Sequence, residues 1–328
     1  MVTRAKRRDI LRYGAAFTLA ALPAPAIAEA WPSKPIRIIC TYPAGGLTDV
    51  FARAYGDYVA QKTGQPVLVE NRTGAAGAIG AEMVKQAAPD GYTLMFTNST
   101  TMVQNKALFK KLPYDPDNDF ALVAWFNTGH LPTIVNKDVP ATNIKEFAAW
   151  AQGRKVSLAT YGIGSFAHVV TETLNRHYGL KMEAVHYRGE ALMWQDVASG
   201  AVQGATGSYA SASSVLQTGA GRPIAVPTME RMKRLPDVPT FYEQGLTEKA
   251  FQIRGWVGCA APAGTPGEIV QRLSDLMVEA GKTERVQKVN DTFAIDEGAR
   301  DRAYFKKVLD EEGPVSIEII KSLNIEPQ

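Results

Sequence analysis

Three glycine-rich stretches hold the residue types that could do chemistry in this chain. In Tyr42-Pro43-Ala44-Gly45-Gly46-Leu47-Thr48-Asp49 a turn after an apolar run opens a helical pattern. Unpaired N–H groups and the positive end of a helix would face outward there, a setting that attracts a carboxylate or a phosphate. No Gly-Lys-Ser/Thr follows, so this is not a nucleotide P-loop. A tight turn with Thr48 or Asp49 as helix cap accounts for the same residues equally well. The second stretch, Tyr161-Gly162-Ile163-Gly164-Ser165-Phe166-Ala167-His168, repeats the order strand, glycine turn, helix. Ser165 and His168 fall on one helical face, the pair a serine hydrolase would need. The G-x-S-x-G elbow is missing, and no acid is obvious nearby to orient the histidine. A second anion-binding helix start, with Ser165 donating a hydrogen bond, is the stronger reading. The third stretch, Gly74-Ala75-Ala76-Gly77-Ala78-Ile79-Gly80, has the spacing G-x-x-G-x-x-G. A dinucleotide fingerprint needs G-x-G-x-x-G, so close helix–sheet packing is preferred.

Other candidates are weaker. His130, His168, His177 and His186 lack metal-ligand spacing. His177 reads as an exposed helix residue and His186 as a strand end. Asp115, Asp117, Asn118 and Asp119 imitate a calcium loop but lack its glycine and terminal glutamate, so a solvated turn is expected. No metal and no cofactor is expected. Cys40 and Cys259 each sit in an apolar strand-like run. Buried free thiols are the favoured reading, and a bridge requires the two strands to be neighbours.

The elements that position these stretches alternate short β-rich runs with longer helical patterns, an α/β signature with mainly parallel sheets. Strands are expected at 36–41, 67–70, 92–97, 156–160, 183–186 and 201–206, and helices at 48–62, 78–87 and 165–178. Residues 122–135 could carry the chain from one half to another, and 251–260 could bring it back. Thr265-Pro266 reads as an N-cap and first-turn proline, and 303–323 as a helix packing on the first half. A domain crossed twice in this way makes two lobes with a cleft between them, and pockets favour such interfaces. The expected lobes are 31–128 plus 254–328, and 129–253. The two glycine-opened helix starts, one per lobe, would converge on one small anion.

Charge narrows the partners. Of 328 residues, 36 are Lys or Arg and 33 Asp or Glu. Residues 1–30 hold five of the bases and two of the acids, which leaves 31 of each in the remainder. A neutral body lacks the cation surplus that displaces counterions from nucleic acid, so nucleic acid is excluded as a partner. Residues 1–30 themselves read as an export signal: a basic start, the short apolar run Gly14–Leu22, then Ala26-Ile27-Ala28 and Ala28-Glu29-Ala30 as cleavage candidates. The paired arginines before Ile10-Leu11 fit a twin-arginine signal, and a general secretory signal fits as well. The mature protein is expected in the periplasm, soluble and monomeric.

Seven stretches in register carry a family resemblance. They are Tyr42-Pro43-Ala44-Gly45-Gly46 with Thr48-Asp49, Asn71-Arg72-Thr73-Gly74, Pro89-Asp90-Gly91-Tyr92-Thr93-Leu94 and Leu112-Pro113-Tyr114-Asp115-Pro116. Gly162-Ile163-Gly164-Ser165 with His168, Leu235-Pro236-Asp237-Val238-Pro239-Thr240, and Ala261-Pro262-Ala263-Gly264-Thr265-Pro266 after Trp256 complete them. The chain resembles the periplasmic solute-binding proteins of the tripartite tricarboxylate transporter family, also called Bug proteins, over essentially all of its mature length.

The resemblance implies a two-lobed periplasmic-binding-protein fold, type II-like, with two mainly parallel sheets flanked by helices, a hinge and an inter-lobe cleft. It implies a receptor without catalysis that hands a small organic carboxylate to membrane permease subunits. The ligand's carboxylate would be gripped by Gly46, Leu47, Thr48 and Asp49 in one lobe and by Gly164, Ser165 and His168 in the other. A hydroxyl-rich strand end, Asn98-Ser99-Thr100-Thr101, would assist. Many relatives carry an Asp near Gly207 that can meet a ligand's ammonium; this chain reads Gly207-Ser208 with no acid. Leu47, Tyr161, Ile163 and Phe166 add apolar surface. The expected ligand is therefore an aromatic carboxylate or a dicarboxylate without an amine, since an ammonium would find no buried partner. The rival readings are an exported serine hydrolase using Ser165 and His168, and a sensory receptor presenting the same closed lobes.

Overall fold

A computed structural model describes residues 31–252, 255–322 and 326–328. The chain divides into Met1–Trp31 and Pro32–Gln328, and the second unit is the body considered below. The export signal expected at 1–30 lies outside the described residues.

The first elements are β1 (Ile36–Cys40), α1 (Leu47–Thr63), β2 (Val67–Asn71), α2 (Ala78–Lys85), β3 (Thr93–Asn98), α3 (Asn105–Leu108) and β4 (Phe120–Asn127). The chain then runs through β5 (Thr133–Asn136), α4 (Ile144–Ala151), β6 (Ser157–Thr160), α5 (Phe166–Tyr178), β7 (Glu183–His186), α6 (Glu190–Ser199), β8 (Gly204–Thr206), α7 (Ser213–Gln217) and β9 (Gly221–Ala225). It closes with β10 (Trp256–Pro262), α8 (Gly267–Ala280), α9 (Glu284–Phe293) and α10 (Arg302–Ser322).

Two five-stranded sheets result, ordered β2-β1-β3-β10-β4 and β7-β6-β8-β5-β9. In each, four strands share a direction and one opposes them, β10 in the first and β5 in the second. The expected mainly parallel sheets hold by strand direction, yet the opposed strand makes two of the four pairings in each sheet antiparallel. The reason is topological. β5 and β10 are entered directly after the chain crosses from the other sheet, so no helical crossover forces them parallel. The first crossing joins β4 to β5, the second returns to β10, and Thr128 Oγ1 donates to Gly255 O at 2.6 Å between them.

Both lobes bury apolar strands under helices. Ile36, Ile38, Ile39 and Cys40 are inaccessible, as expected of a strand covered on both faces. Phe51, Tyr55, Phe96 and Phe126 form an aromatic cluster, with Tyr55 and Phe126 centroids 4.4 Å apart. Cys40 and Cys259 both pair in register with Phe96, one on each side. Two strand spacings, roughly 9.6 Å, therefore separate them, beyond the reach of a disulfide. Both are free and buried, and burial pushes the Cys40 thiol up to about 12.

α10 packs on the first sheet: Phe305 meets Trp256 at 5.0 Å and Tyr304 meets Trp125 at 5.1 Å. At α8 the expected cap moves by one residue. Pro266 holds the N-cap position, and the Thr265 hydroxyl donates backward to Pro262 O at 2.7 Å. No helix among the described residues is long and apolar enough to cross a membrane.

Candidate functional site

A cavity of about 380 Å³ lies where the carboxyl ends of β1, β3, β6, β7 and β8 face one another, beside both crossings. Ligands of open α/β sheets bind beyond the carboxyl ends of strands, where loops and helix starts converge. Here three helix starts converge, and they differ in what their N–H groups already hold.

The start of α1 is open. Its N-cap is Gly46, which has no side chain to cap with. Asp49, in the first turn, bends back so that Oδ2 accepts from Gly45 N at 2.9 Å. Arg53 Nε donates to both Asp49 oxygens at 3.1 Å. Asn71 Nδ2 donates to Asp49 Oδ1 and to Tyr42 O, each at 2.9 Å, which ties the whole turn to the end of β2. Burial alone would raise the Asp49 pKa, but Arg53, Gly45 N–H and Asn71 together lower it. The N–H groups of Leu47, Thr48 and Asp49 have no protein acceptor among the described residues. Leu47 and Thr48 line the cavity.

The start of α5 is closed. Ser165 is its N-cap, and the hydroxyl oxygen accepts from His168 N at 3.4 Å. Gly164 N donates to His168 Nδ1 at 3.1 Å, so Nε2 carries the proton of the neutral ring. Burial and the neighbouring His186, 4.6 Å away by centroid, push the His168 pKa down to about 4. Nε2 faces Glu172 Oε1 at 3.9 Å. The ring nitrogens are therefore turned to Gly164 and Glu172, and Ser165 is held by a backbone N–H, so the two do not form a nucleophile–base pair. Gly164 itself has φ +71° and lies against Leu108 of α3 across the lobes; a Cβ there would stand 2.1 Å from Leu108 Cδ1.

The start of α6 opens on the cavity through Arg188, Gly189, Glu190, Ala191 and Leu192, again with a glycine N-cap. The Glu190 carboxylate accepts from Ser208 N at 3.1 and 3.2 Å and from Ser208 Oγ at 2.5 Å. Among the described lining residues, Arg188 is the one cation and Glu190 the one anion.

Of the expected site residues, Gly46, Leu47, Thr48, Asn98, Ser99, Thr100, Tyr161 and Ser208 line the cavity. Asp49, Gly164, Ser165, His168 and Gly207 stand behind that lining and shape it. The missing acid at position 207 is made good from another element. A Cβ on Gly207 would lie 2.9 Å from Met193 Cε and Trp194 Cζ2 and 3.3 Å from Glu190 Cδ, so the glycine's empty volume admits Glu190. The expectation of an amine-free ligand rested on there being no carboxylate in the cleft, and that premise fails.

Sequence reasoning overlooked Arg188 and Glu190. Their signal was the order strand, Gly189, helix, the pattern already used at α1 and α5. It also missed the work of the recurrent motifs. Asn71 anchors the α1 turn, and Tyr114 donates to Thr101 O at 2.6 Å, fastening the wide turn Thr100–Gln104 beneath the cavity. Gly74, Gly77 and Gly80 lie off the cavity lining, and a Cβ on Gly80 would stand 2.8 Å from Arg72 O, in keeping with close packing. Asp115 and Asp119 accept backbone N–H bonds within their own turn. His177 is exposed on α5, as expected, and its Nδ1 pairs with Glu248 Oε1 at 2.5 Å.

Two sheet-based lobes, crossed twice by the chain, with uncapped helix starts facing a cavity between them, define a two-lobed solute-binding receptor. Comparison makes the assignment specific: the tripartite tricarboxylate transporter family receptor pattern matches residues 51–325, and the chain belongs to that family. A UPF0065 protein of Bordetella bronchiseptica is 34% identical over 259 residues, covering 78% of this chain and 76% of the relative. Rpa4515 of R. palustris, solved with adipate, matches with a TM-score of 0.84 at 26% identity, over 91% of this chain and 100% of that one. MatC of Rhodopseudomonas palustris, solved with bound malate, matches at 0.78 and 29% identity, over 88% and 99%.

Proposed function

We propose that this chain captures a small organic carboxylate in the periplasm and presents it to the membrane subunits of a tripartite transporter. One observation carries the reading: three N–H groups at the start of α1 lack a protein acceptor beside a cavity between two lobes. A carboxylate there receives charge-assisted hydrogen bonds from Leu47, Thr48 and Asp49, with Asn98, Ser99 and Thr100 within the same wall. Tyr42, Leu47, Phe166 and Trp256 line the remaining space and suit an apolar or aromatic body. The solved relatives holding adipate and malate support this ligand class.

The two lobes of the proposal are 31–128 plus 254–328, and 129–253. Ligand bridging them favours the closed arrangement, and the permease reads that arrangement. Gly164, Ser165, His168 and Gly207 support the second lobe's wall. The test is a thermal-shift and calorimetric screen of unfolded-and-refolded mature protein against aliphatic, aromatic, di- and tricarboxylates. A ligand at ~100 times its Kd adds about 2.7 kcal/mol of stability and is easily seen. Silence across every carboxylate would remove the assignment.

A further inference from the structure

We propose that Glu190 is the specificity-determining residue of this cavity, selecting carboxylates that carry a hydrogen-bond donor, hydroxyl or ammonium, at the end remote from the carboxylate. The inference rests on the receptor reading and names what the second lobe recognises. Glu190 is the first residue of α6, and its carboxyl carbon lies beside the space that any side chain at position 207 would fill. Ser208 holds the carboxylate from one side only. Its hydroxyl donates to Oε2 at 2.5 Å, while its N–H is shared between the two oxygens at 3.1 and 3.2 Å. The hydroxyls of Ser208 and Ser211 lie 2.8 Å apart. Ser208 Oγ is the donor in both pairs by geometry, and its single proton serves the nearer acceptor, Glu190.

A carboxylate offers about four acceptor positions. Ser208 uses those on its own side, and Oε1 keeps only a share of one backbone N–H. The remaining capacity faces a cavity whose described lining has no cation except Arg188, and no ion-pair partner of Arg188 stands among the described residues. Leaving a carboxylate's lone pairs unmet in a cavity walled by Tyr161, Phe166 and Val169 is costly once ligand expels water. A ligand donor meets that need; a second ligand carboxylate would face a like charge. The α1 start takes the carboxylate end, so the two ends of the ligand are read by opposite chemistry from opposite lobes.

The experiment is calorimetry on the whole mature protein with matched sets: hexanoate, 6-hydroxyhexanoate, 6-aminohexanoate and adipate, the corresponding four-carbon set, and benzoate with 4-hydroxybenzoate. The expected result is a preference of about tenfold or more for the donor-bearing member of at least one set over both its plain and its dicarboxylate counterpart. The hydroxy and amino arms distinguish the two donors. Glu190→Gln should shrink that preference to within about threefold and bring adipate or succinate level. Ser208→Ala, which removes one tether and keeps the charge, should reduce it partially, with unliganded melting curves of both variants near the parent's. Equal binding of plain and donor-bearing acids, or a preference that survives Glu190→Gln, overturns the inference while the receptor reading stands. Dicarboxylates binding tightest in every set also overturn it. No binding by any set defeats the receptor reading itself.

Discussion

The starts of α1 and α5 share a plan and end in opposite states. Each follows a strand and a glycine turn, and in each the third helical residue reaches back to the residue before the N-cap. Asp49 accepts from Gly45 N, and His168 accepts from Gly164 N. The difference lies at the N-cap. Gly46 offers no oxygen, whereas Ser165 gives one to His168 N. In α1 the third residue is also drawn aside by Arg53 and Asn71. The α1 start keeps its three donors, whereas the α5 start gives one to Ser165 Oγ and turns the N–H groups of Phe166 and Ala167 toward the Tyr161 hydroxyl. A glycine-opened helix can therefore offer its donors to a ligand only where the chain withholds its own acceptor.

The largest expected effect tests the closed start. His168 is neutral and buried, with its pKa down at about 4 against an ordinary 6.5. Between those values the unfolded chain binds a proton that the folded chain refuses, so stability is complete above about pH 6.5 and falls as pH drops toward 4. The full loss from this group is roughly 3 kcal/mol. Urea unfolding from pH 7.5 to 4 should show the decline, and His168→Asn, whose amide oxygen can accept from Gly164 N, should flatten it. An unchanged slope in that variant would mean that His168 is not held neutral by its site.

Next in size is the open start. Leu47 is the first residue of α1, where proline is tolerated because the N–H has no helical partner. Gly46, at φ −77° and ψ 166°, already has the extended geometry that a following proline requires. Leu47→Pro thus deletes one candidate ligand donor and leaves the helix intact. Affinity for the best carboxylate of the screen should fall roughly 10- to 100-fold, the worth of a hydrogen bond to a charged group. The melting point should barely move. Leu47→Ala controls for the lost side chain and should cost clearly less binding.

Much of this was legible in the sequence because strand–glycine–helix order is local. Ile36–Cys40, Phe166–Tyr178 and Glu183–His186 fall on or within a residue of where apolar runs and turn residues put them. The reversed directions of β5 and β10 were not legible, since they depend on which sheet the chain enters after crossing. Nor was the state of each helix start, because Arg53, Asn71 and His168 act through contacts that spacing alone does not reveal. Gly207 shows the limit best. Read along the chain it is a missing acid; in space it is the vacancy that lets Glu190, 17 positions earlier in the sequence, bring one.

The smallest effects come from exchanging the caps, and they test the comparison most directly. Gly46 already has N-cap geometry, and a Cβ there would meet only Pro43 O at 3.4 Å. In Gly46→Ser the new hydroxyl can accept an N–H of the first turn, adding a few tenths of a kcal/mol of stability. Ser165→Gly should remove a similar amount, because glycine is itself a fair N-cap. The stability changes are therefore small and opposite. Binding should respond to only one of them: Gly46→Ser sets a protein oxygen in competition with the ligand and weakens carboxylate binding several-fold, while Ser165→Gly leaves it within about twofold of the parent. If both exchanges weakened binding alike, the α5 start would be gripping ligand too, and the contrast between an open and a closed helix start would have to be given up.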